Sequence, residues 1–324
     1  MDGISRRRIL AGIAVASAVL AAGAARAQDS LKLAVGQRGN WENAIAELGQ
    51  RAGIFKKHGL VLDILYTQGS GETQQAVISG SVDIGTGVGT GAVMSAFVKG
   101  APVRALGAQT TGSTDLFWYV RSDSPIKTMK DVEGRTIAYS TSGSSTNLVV
   151  LGFQRQFQIQ AKPVATGNPS STFTQVMSGQ IDVGWSSPPF GLDALEQNRI
   201  RIIAHGSDVP SFRDQTVRLL IANASTLERR RDALTRFMRG YRETLDWMYS
   251  DPAALKMYEE FSGNPERLMR TGRDQFFPKA SMWPDEIRRI DQVLADAQTM
   301  KFISAPLAAN QVKDMIQIPA PPKK

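Results

Sequence analysis

From Leu31 onward, short runs of β-branched and large apolar residues alternate with segments whose apolar positions recur every three or four residues, the alternation expected of βαβ units on a parallel sheet. Leu31 to Val35 is predicted as a strand and Trp41 to His58 as a helix, with Ile45, Leu48, Ala52 and Phe55 on one face. Strands at Val61 to Tyr66, Val82 to Gly85 and Val103 to Ala108 then enclose helices at Glu72 to Ile78 and Gly91 to Val98. A second series follows, with strands at Thr136 to Tyr139, Pro163 to Ala165, Ile181 to Trp185 and Arg201 to Ala204. Its helices are at Thr146 to Phe157, Phe173 to Met177 and Leu192 to Asn198. After a strand at Val217 to Ala222 the pattern turns helical: Leu227 to Tyr249, Ala253 to Phe261, Glu266 to Phe276 and Asp285 to Gln298. The Pro/Lys-rich tail from Pro319 is expected to fray.

An internal repeat organises this series. Ser79-Gly80-Ser81-Val82-Asp83-Ile84-Gly85 matches Ser178-Gly179-Gln180-Ile181-Asp182-Val183-Gly184, each copy reading as a helix end with a glycine cap, a short strand carrying Asp, and a Gly-containing loop. The period is too long for a solenoid and predicts two similar α/β lobes. One lobe is expected to combine residues 30–108 with 217–324, so that the C-terminal helices return to pack on it. The other spans 117–205, with hinges at about 109–116 and 206–216.

The first 27 residues fit neither lobe. Arg6-Arg7-Arg8-Ile9-Leu10, an uncharged Ala-rich run and Ala25-Arg26-Ala27 form the layout of a cleaved secretory signal, and the paired arginines resemble a twin-arginine export motif. Four arginines and Asp2 lie within it, so its removal lowers the formal net charge of +8 by three. The expected product is periplasmic. With 42% hydrophobic and 21% charged residues, the 324-residue chain has the composition of an ordinary folded protein. The absence of cysteine excludes disulfides, thiolate metal sites and a cysteine nucleophile. Arg229-Arg230-Arg231 sits between Glu228 and Asp232 on a predicted helix, which reads as a solvated face, so no nucleic-acid partner is expected.

Catalytic patterns are also missing. Gly85 to Gly91 follows a strand and precedes a helix, but its G-x-G-x-G-x-G spacing satisfies neither nucleotide fingerprint. The run is read either as a tight connection or as a backbone approach to ligand. Asp83 and Asp182 occupy matching positions in the repeat and are expected to cap or brace their own loops rather than form an acid/base pair. No G-x-S-x-G elbow occurs, His58 lies at a polar helix end, and His205 begins a loop-like segment. No catalytic residue, metal or cofactor is assigned.

Polar clusters after strands carry more information. Ligands bind at the carboxyl ends of strands in open parallel sheets, and five such loops contain Gln37 to Trp41, Gln68 to Gly71, Ser140 to Asn147, Asn168 to Thr172 and Trp185 to Pro189. The candidate ligand-binding residues are Arg38, Asn40, Trp41, Ser70, Gly87, Thr90, Ser142, Ser144, Thr146, Ser171, Trp185 and Ser187. Any single Ser or Thr here also suits an N-cap, and Trp41 and Trp185 suit either a ligand wall or a lobe core. Arg38 and several helix N-termini favour an anion.

The chain resembles the nitrate/sulfonate/taurine-binding proteins of ABC importers, a group that includes thiamine-precursor binders. The residues concerned are Gly53-Ile54-Phe55-Lys56-Lys57-His58-Gly59-Leu60, the two repeat copies, Gly100-Ala101-Pro102-Val103, Phe117 to Ile126 and Lys130 to Ala138. The resemblance implies a type II periplasmic-binding-protein fold in which two α/β lobes close on a small molecule around a hinge. It further implies a monomeric receptor that delivers this molecule to an ABC permease and its ATPase. The cysteine cluster of pyrimidine-precursor binders is absent, so that ligand is not carried over. An organic anion such as a sulfonate or carboxylate is expected, with nitrate, taurine and a neutral heterocycle left open. The reading from another class is an exported hydrolase on a similar fold.

Overall fold

The computed structural model describes residues 28–319, so the expected export signal and the tail beyond Pro319 lie outside the described residues. Ten strands alternate with helices: β1 Asp29–Gly36, β2 Leu60–Thr67, β3 Ile84–Gly89, β4 Val103–Thr111, β5 Phe117–Arg121, β6 Thr136–Tyr139, β7 Lys162–Ala165, β8 Gly184–Ser186, β9 Ile200–His205 and β10 Thr216–Asn223.

They form two sheets of one design. In the first, the order is β2-β1-β3-β10-β4; β1 runs parallel to β2 and β3, and β10 runs antiparallel to both its neighbours. In the second, β5 runs antiparallel between β8 and β9, and β6 pairs in parallel with β7. A bridge between Ile137 and Val183 joins these pieces, giving β7-β6-β8-β5-β9. Each sheet thus holds one antiparallel strand, reached directly after the chain leaves the other sheet. The chain crosses between sheets after β4 and after β9, which makes the architecture a two-lobed α/β fold with a hinge.

The repeat sets strand register in each lobe. The Lys32 amide donates to Asp83 Oδ2 (2.9 Å) and the Asp83 amide to the Lys32 carbonyl (2.8 Å), fastening β1 to the entrance of β3. Asp182 does the same between β6 and β8, accepting from the Thr136 amide (2.9 Å) and hydroxyl (2.7 Å). These aspartates therefore brace the neighbouring strand rather than their own loops.

Three apolar clusters hold the layers together. Leu31, Leu33 and Val35 pack with Phe237, Tyr241 and Leu245 of the helix Arg231–Ser250 and with Leu255 and Tyr258 of the helix Ala253–Ser262. On the other face of the same sheet, Ala34, Val88 and Val103 meet Val293, Leu294 and Met315. The third cluster, around Trp118, Ile137, Phe153, Val183 and Phe212, is the core of the second lobe. Among the described residues no helix is long and apolar enough to cross a membrane.

Several elements differ from the sequence pattern. The Gly85 to Gly91 run is mostly strand: residues 84–89 pair with β1 and β10. A Cβ at Gly85 would stand 2.8 Å from a Val77 methyl, so glycine here lets a helix lie directly on the strand. The helix expected from Trp41 to His58 is two, Ile45–Arg51 and Ile54–Lys57, divided at Gly53 with φ of +75°. The one expected from Leu227 to Tyr249 breaks at Arg230, and the one expected from Asp285 begins at Ile290. β5 was not separable from the hinge by pattern, because four of its five residues are buried and no alternation survives. Asp83→Ala removes the amide acceptor together with the Arg230 ion pair (2.9 Å), and is expected to cost about 2 kcal/mol in urea unfolding. An unchanged midpoint would show that the brace contributes nothing.

Candidate functional site

The carboxyl ends of β1, β2 and β3 in the first lobe face those of β6 and β8 in the second. Between them lies a small cleft pocket of about 30 Å³, lined by Gly36, Gln37, Glu42, Asn43, Gly69, Ser70, Gly87, Leu116, Ser140, Ser144, Ser145, Thr146, Trp185, Ser187 and Arg218. The second-lobe wall is the start of the helix Ser145–Phe157. Ser144 is its N-cap, its hydroxyl accepting from the Asn147 amide (3.2 Å), and Thr146 Oγ1 accepts from the Ser140 amide (2.8 Å). These hydroxyls hold the loop in shape and leave the helix N-terminus, with its partial positive charge, at the pocket wall.

The floor is ionic. Arg218, on β10, donates from Nη1 to Glu42 Oε1 (2.8 Å) and from Nη2 to Asp115 Oδ1 and Oδ2 (2.5 and 2.6 Å). Ser187, from the second lobe, donates to Asp115 Oδ2 (3.1 Å). All three charged side chains are buried. Burial pushes the Glu42 carboxyl up to about 7; the Arg218 guanidinium opposes this, and the Asp115 charge adds to it. Four residues of the lining each keep a buried polar atom without a partner: Ser140 Oγ, Trp185 Nε1, Arg218 Nε and Glu42 Oε2. Buried polar groups are nearly always hydrogen-bonded in folded proteins, and three of these four are donors. The arrangement is chemically suited to a small molecule that presents acceptor oxygens.

Of the residues singled out from sequence, Ser70, Gly87, Ser144, Thr146, Trp185 and Ser187 come together in this lining. The others do not. Trp41 is core, its indole donating to Tyr249 Oη (3.0 Å) and standing edge-on to Tyr258 at 4.9 Å. Asn40 is buried outside the lining, and Thr90 is buried at the start of the helix Thr90–Val98. Ser142 is exposed and borders a separate groove with Gln74 and Phe302, and Ser171 is exposed on the helix Pro169–Met177. Arg38 lies over the Phe261 ring at 4.5 Å and donates to the Phe261 carbonyl (2.8 Å).

The cation at the pocket is Arg218. Its sequence signal was a lone charge inside the apolar strand Val217 to Ala222, where only a paired or functional charge is tolerated. Glu42 was hidden in a predicted amphipathic helix, and Asp115 in a segment read as hinge.

The two walls touch. The Ala92 amide donates to the Gly143 carbonyl (3.1 Å) and the Gly71 amide to Thr141 Oγ1 (3.3 Å). Gly143 has φ of +77°, and a Cβ there would lie 2.8 Å from Ala92 Cα; a Cβ at Gly89 would lie 2.3 Å from the Gly143 carbonyl oxygen. The lobes are therefore closed on one another where only glycine fits.

The family model described as NMT1/THI5 like matches residues 43–255, a span that holds both repeat copies and all but the N-terminal edge of the cleft. The chain belongs to the NMT1/THI5-like family. No curated protein matches the sequence. Among solved structures, the NMT1/THI5-like chain is similar to the alkanesulfonate-binding protein SsuA from Xanthomonas axonopodis pv. citri bound to MOPS. That match has 15% identity and a TM-score of 0.75, covering 89% of this chain and 98% of the other. The periplasmic aliphatic sulphonate-binding protein SsuA from Escherichia coli matches at 17% identity and a TM-score of 0.69, covering 91% and 94%. The desulfurization enzyme DSZB matches at 16% identity and a TM-score of 0.62, covering 88% and 96%. The fold of this NMT1/THI5-like chain is thus that of periplasmic binding proteins, which at least one enzyme shares.

Closure has a direct test. Gly143→Ala is expected to hold the lobes apart, read as a larger radius of gyration in small-angle scattering with an unchanged circular dichroism spectrum. An unchanged radius would mean that the contact yields to a methyl group.

Proposed function

We propose that this chain is an exported solute receptor that captures a small organic anion, such as a sulfonate or carboxylate, between its lobes and delivers it to an ABC permease driven by its ATPase. In this reading the mature protein works as a monomer in the periplasm. Residues 30–108 with 217–324 form one lobe, 117–205 the other, and they close about 109–116 and 206–216. The observation that carries the reading is the set of unpartnered buried donors, Ser140 Oγ, Trp185 Nε1 and Arg218 Nε, around a pocket bounded by a helix N-terminus. Sulfonate and carboxylate oxygens satisfy such donors, and the anion's charge complements the helix terminus.

Arg218 takes the role that Arg38 held by sequence, and Trp185 supplies the aromatic wall. The exported-hydrolase alternative has a fold-level precedent in DSZB, but among the described residues the lining brings no histidine to its serines to activate one as a nucleophile. The receptor reading is therefore preferred.

Thermal-shift screening against alkanesulfonates and aliphatic and aromatic carboxylates is expected to find anions that raise the Tm and perturb tryptophan fluorescence. For such an anion, Trp185→Phe deletes one donor and is expected to weaken binding about tenfold, whereas Arg38→Ala leaves it unchanged. A cationic co-purified solute, or turnover of substrates in an esterase and phosphatase panel, would overturn the proposal.

A further inference from the structure

The floor of the cleft has more negative than positive charge. Arg218 is the one cation among the described residues of the pocket lining, and two buried carboxylates, Asp115 and Glu42, bind it. With both ionised, the cluster has a net charge of about −1 in a site shielded from water, and an incoming anion meets repulsion instead of attraction. The two acids are not equivalent. Both oxygens of Asp115 are engaged by Arg218, and one of them also by Ser187. Glu42 gives Oε1 to Arg218 and leaves Oε2, buried in the pocket lining, with no partner. A buried carboxylate oxygen without a donor is costly; the same atom carrying a proton becomes a donor, as Trp185 Nε1 and Ser140 Oγ of the same lining already are.

We propose, resting on the receptor reading above, that anion capture in this cleft is proton-coupled: Glu42 takes up a proton on Oε2 as the anion enters. The proton comes from the bulk solvent, one O–H bond forms, and the loaded cluster of Glu42, Asp115 and Arg218 is neutral. Unloading returns the proton. The position of the Glu42 carboxyl, lifted to about 7 chiefly by burial, places this exchange in the range where it is felt. The other groups that face Glu42 do not replace it. Arg218 approaches from β10, and its charged form is favoured by Asp115 and Glu42 against the effect of burial. Asp115 approaches from the crossing segment. Tyr241 and Tyr249 lie on the helix Arg231–Ser250 and Tyr258 on the helix Ala253–Ser262. Burial, with the Glu42 charge adding, raises all three phenols, so they stay neutral.

The sign follows from linkage. A site that must gain a proton to bind loses affinity as pH rises above the pKa of the free site, with a limiting slope of about tenfold per pH unit. The test is titration calorimetry with propanesulfonate and benzoate, both ionised from pH 5.5 to 9, in non-sulfonate buffers of two different ionisation enthalpies. Expected at pH 8 is an uptake approaching one proton per anion, falling toward zero near pH 5.5, with affinity dropping severalfold or more between pH 7 and 9. Glu42→Gln is expected to abolish the uptake and flatten the profile. If that variant does not fold, the two-buffer measurement on the unaltered chain decides alone. Binding with the same affinity throughout and no proton uptake overturns this proposal and leaves the receptor reading intact. Absence of binding by either anion at every pH, acid included, overturns both.

Discussion

The structure depends on how a single guanidinium is kept in the interior. Arg218 sits in the strand that closes the first sheet, and its charge is matched by Glu42 from its own lobe and by Asp115 from the segment that leads into the second. Ser187, at the far wall of the cleft, fastens the same aspartate. Removing one partner of such a buried network costs about 3–5 kcal/mol in general, because a charge is left without compensation. Sheet, hinge and ligand wall therefore share one electrostatic node. The cleft is built on it, and the node's surplus carboxyl sets the charge of the cleft floor.

The two halves reach this node by the same construction. An aspartate at the start of the third parallel strand clamps the first strand in each lobe, so the strand ends that form the cleft are fixed relative to one another. An antiparallel strand enters beside the third in each sheet, bringing the chain back across the cleft floor. Glycines at 89 and 143 then allow backbone to meet backbone between the lobes. Polar loops that would be scattered on a single sheet are brought face to face.

Much of this was legible in the chain. Periodicity located most elements, and the S-G-x-[VI]-D-[IV]-G repeat announced two lobes because identical local chemistry implies identical strand pairing. Four of the five expected polar loops contribute to the pocket lining, because a polar run after a parallel strand has few places to go; the one at Asn168 to Thr172 does not. The individual contacts were less legible. Arg38 and Arg218 look alike as letters, yet one stacks on Phe261 and the other lines the pocket; the difference is set by partners 103 to 223 positions away. Trp41 likewise is claimed by Tyr249 and Tyr258, which come from the C-terminal helices. Gly85 to Gly89 looked like a turn because glycine is rare in strands, and its strand role follows from a helix that needs the space.

The interleaved strand order also bears on assembly. The second lobe is a continuous stretch of chain and can collapse as soon as it is made. The first is not: β10 fits between β3 and β4, pairing Arg218 with Gly89, a contact about 130 positions long, and such contacts are slow to form. Until β10 arrives, β3 and β4 present unpaired edges to one another across a gap, the kind of surface that aggregates or recruits chaperones. Vectorial synthesis thus finishes the inner lobe before the outer one, and the strand that carries Arg218 is the last to enter its sheet.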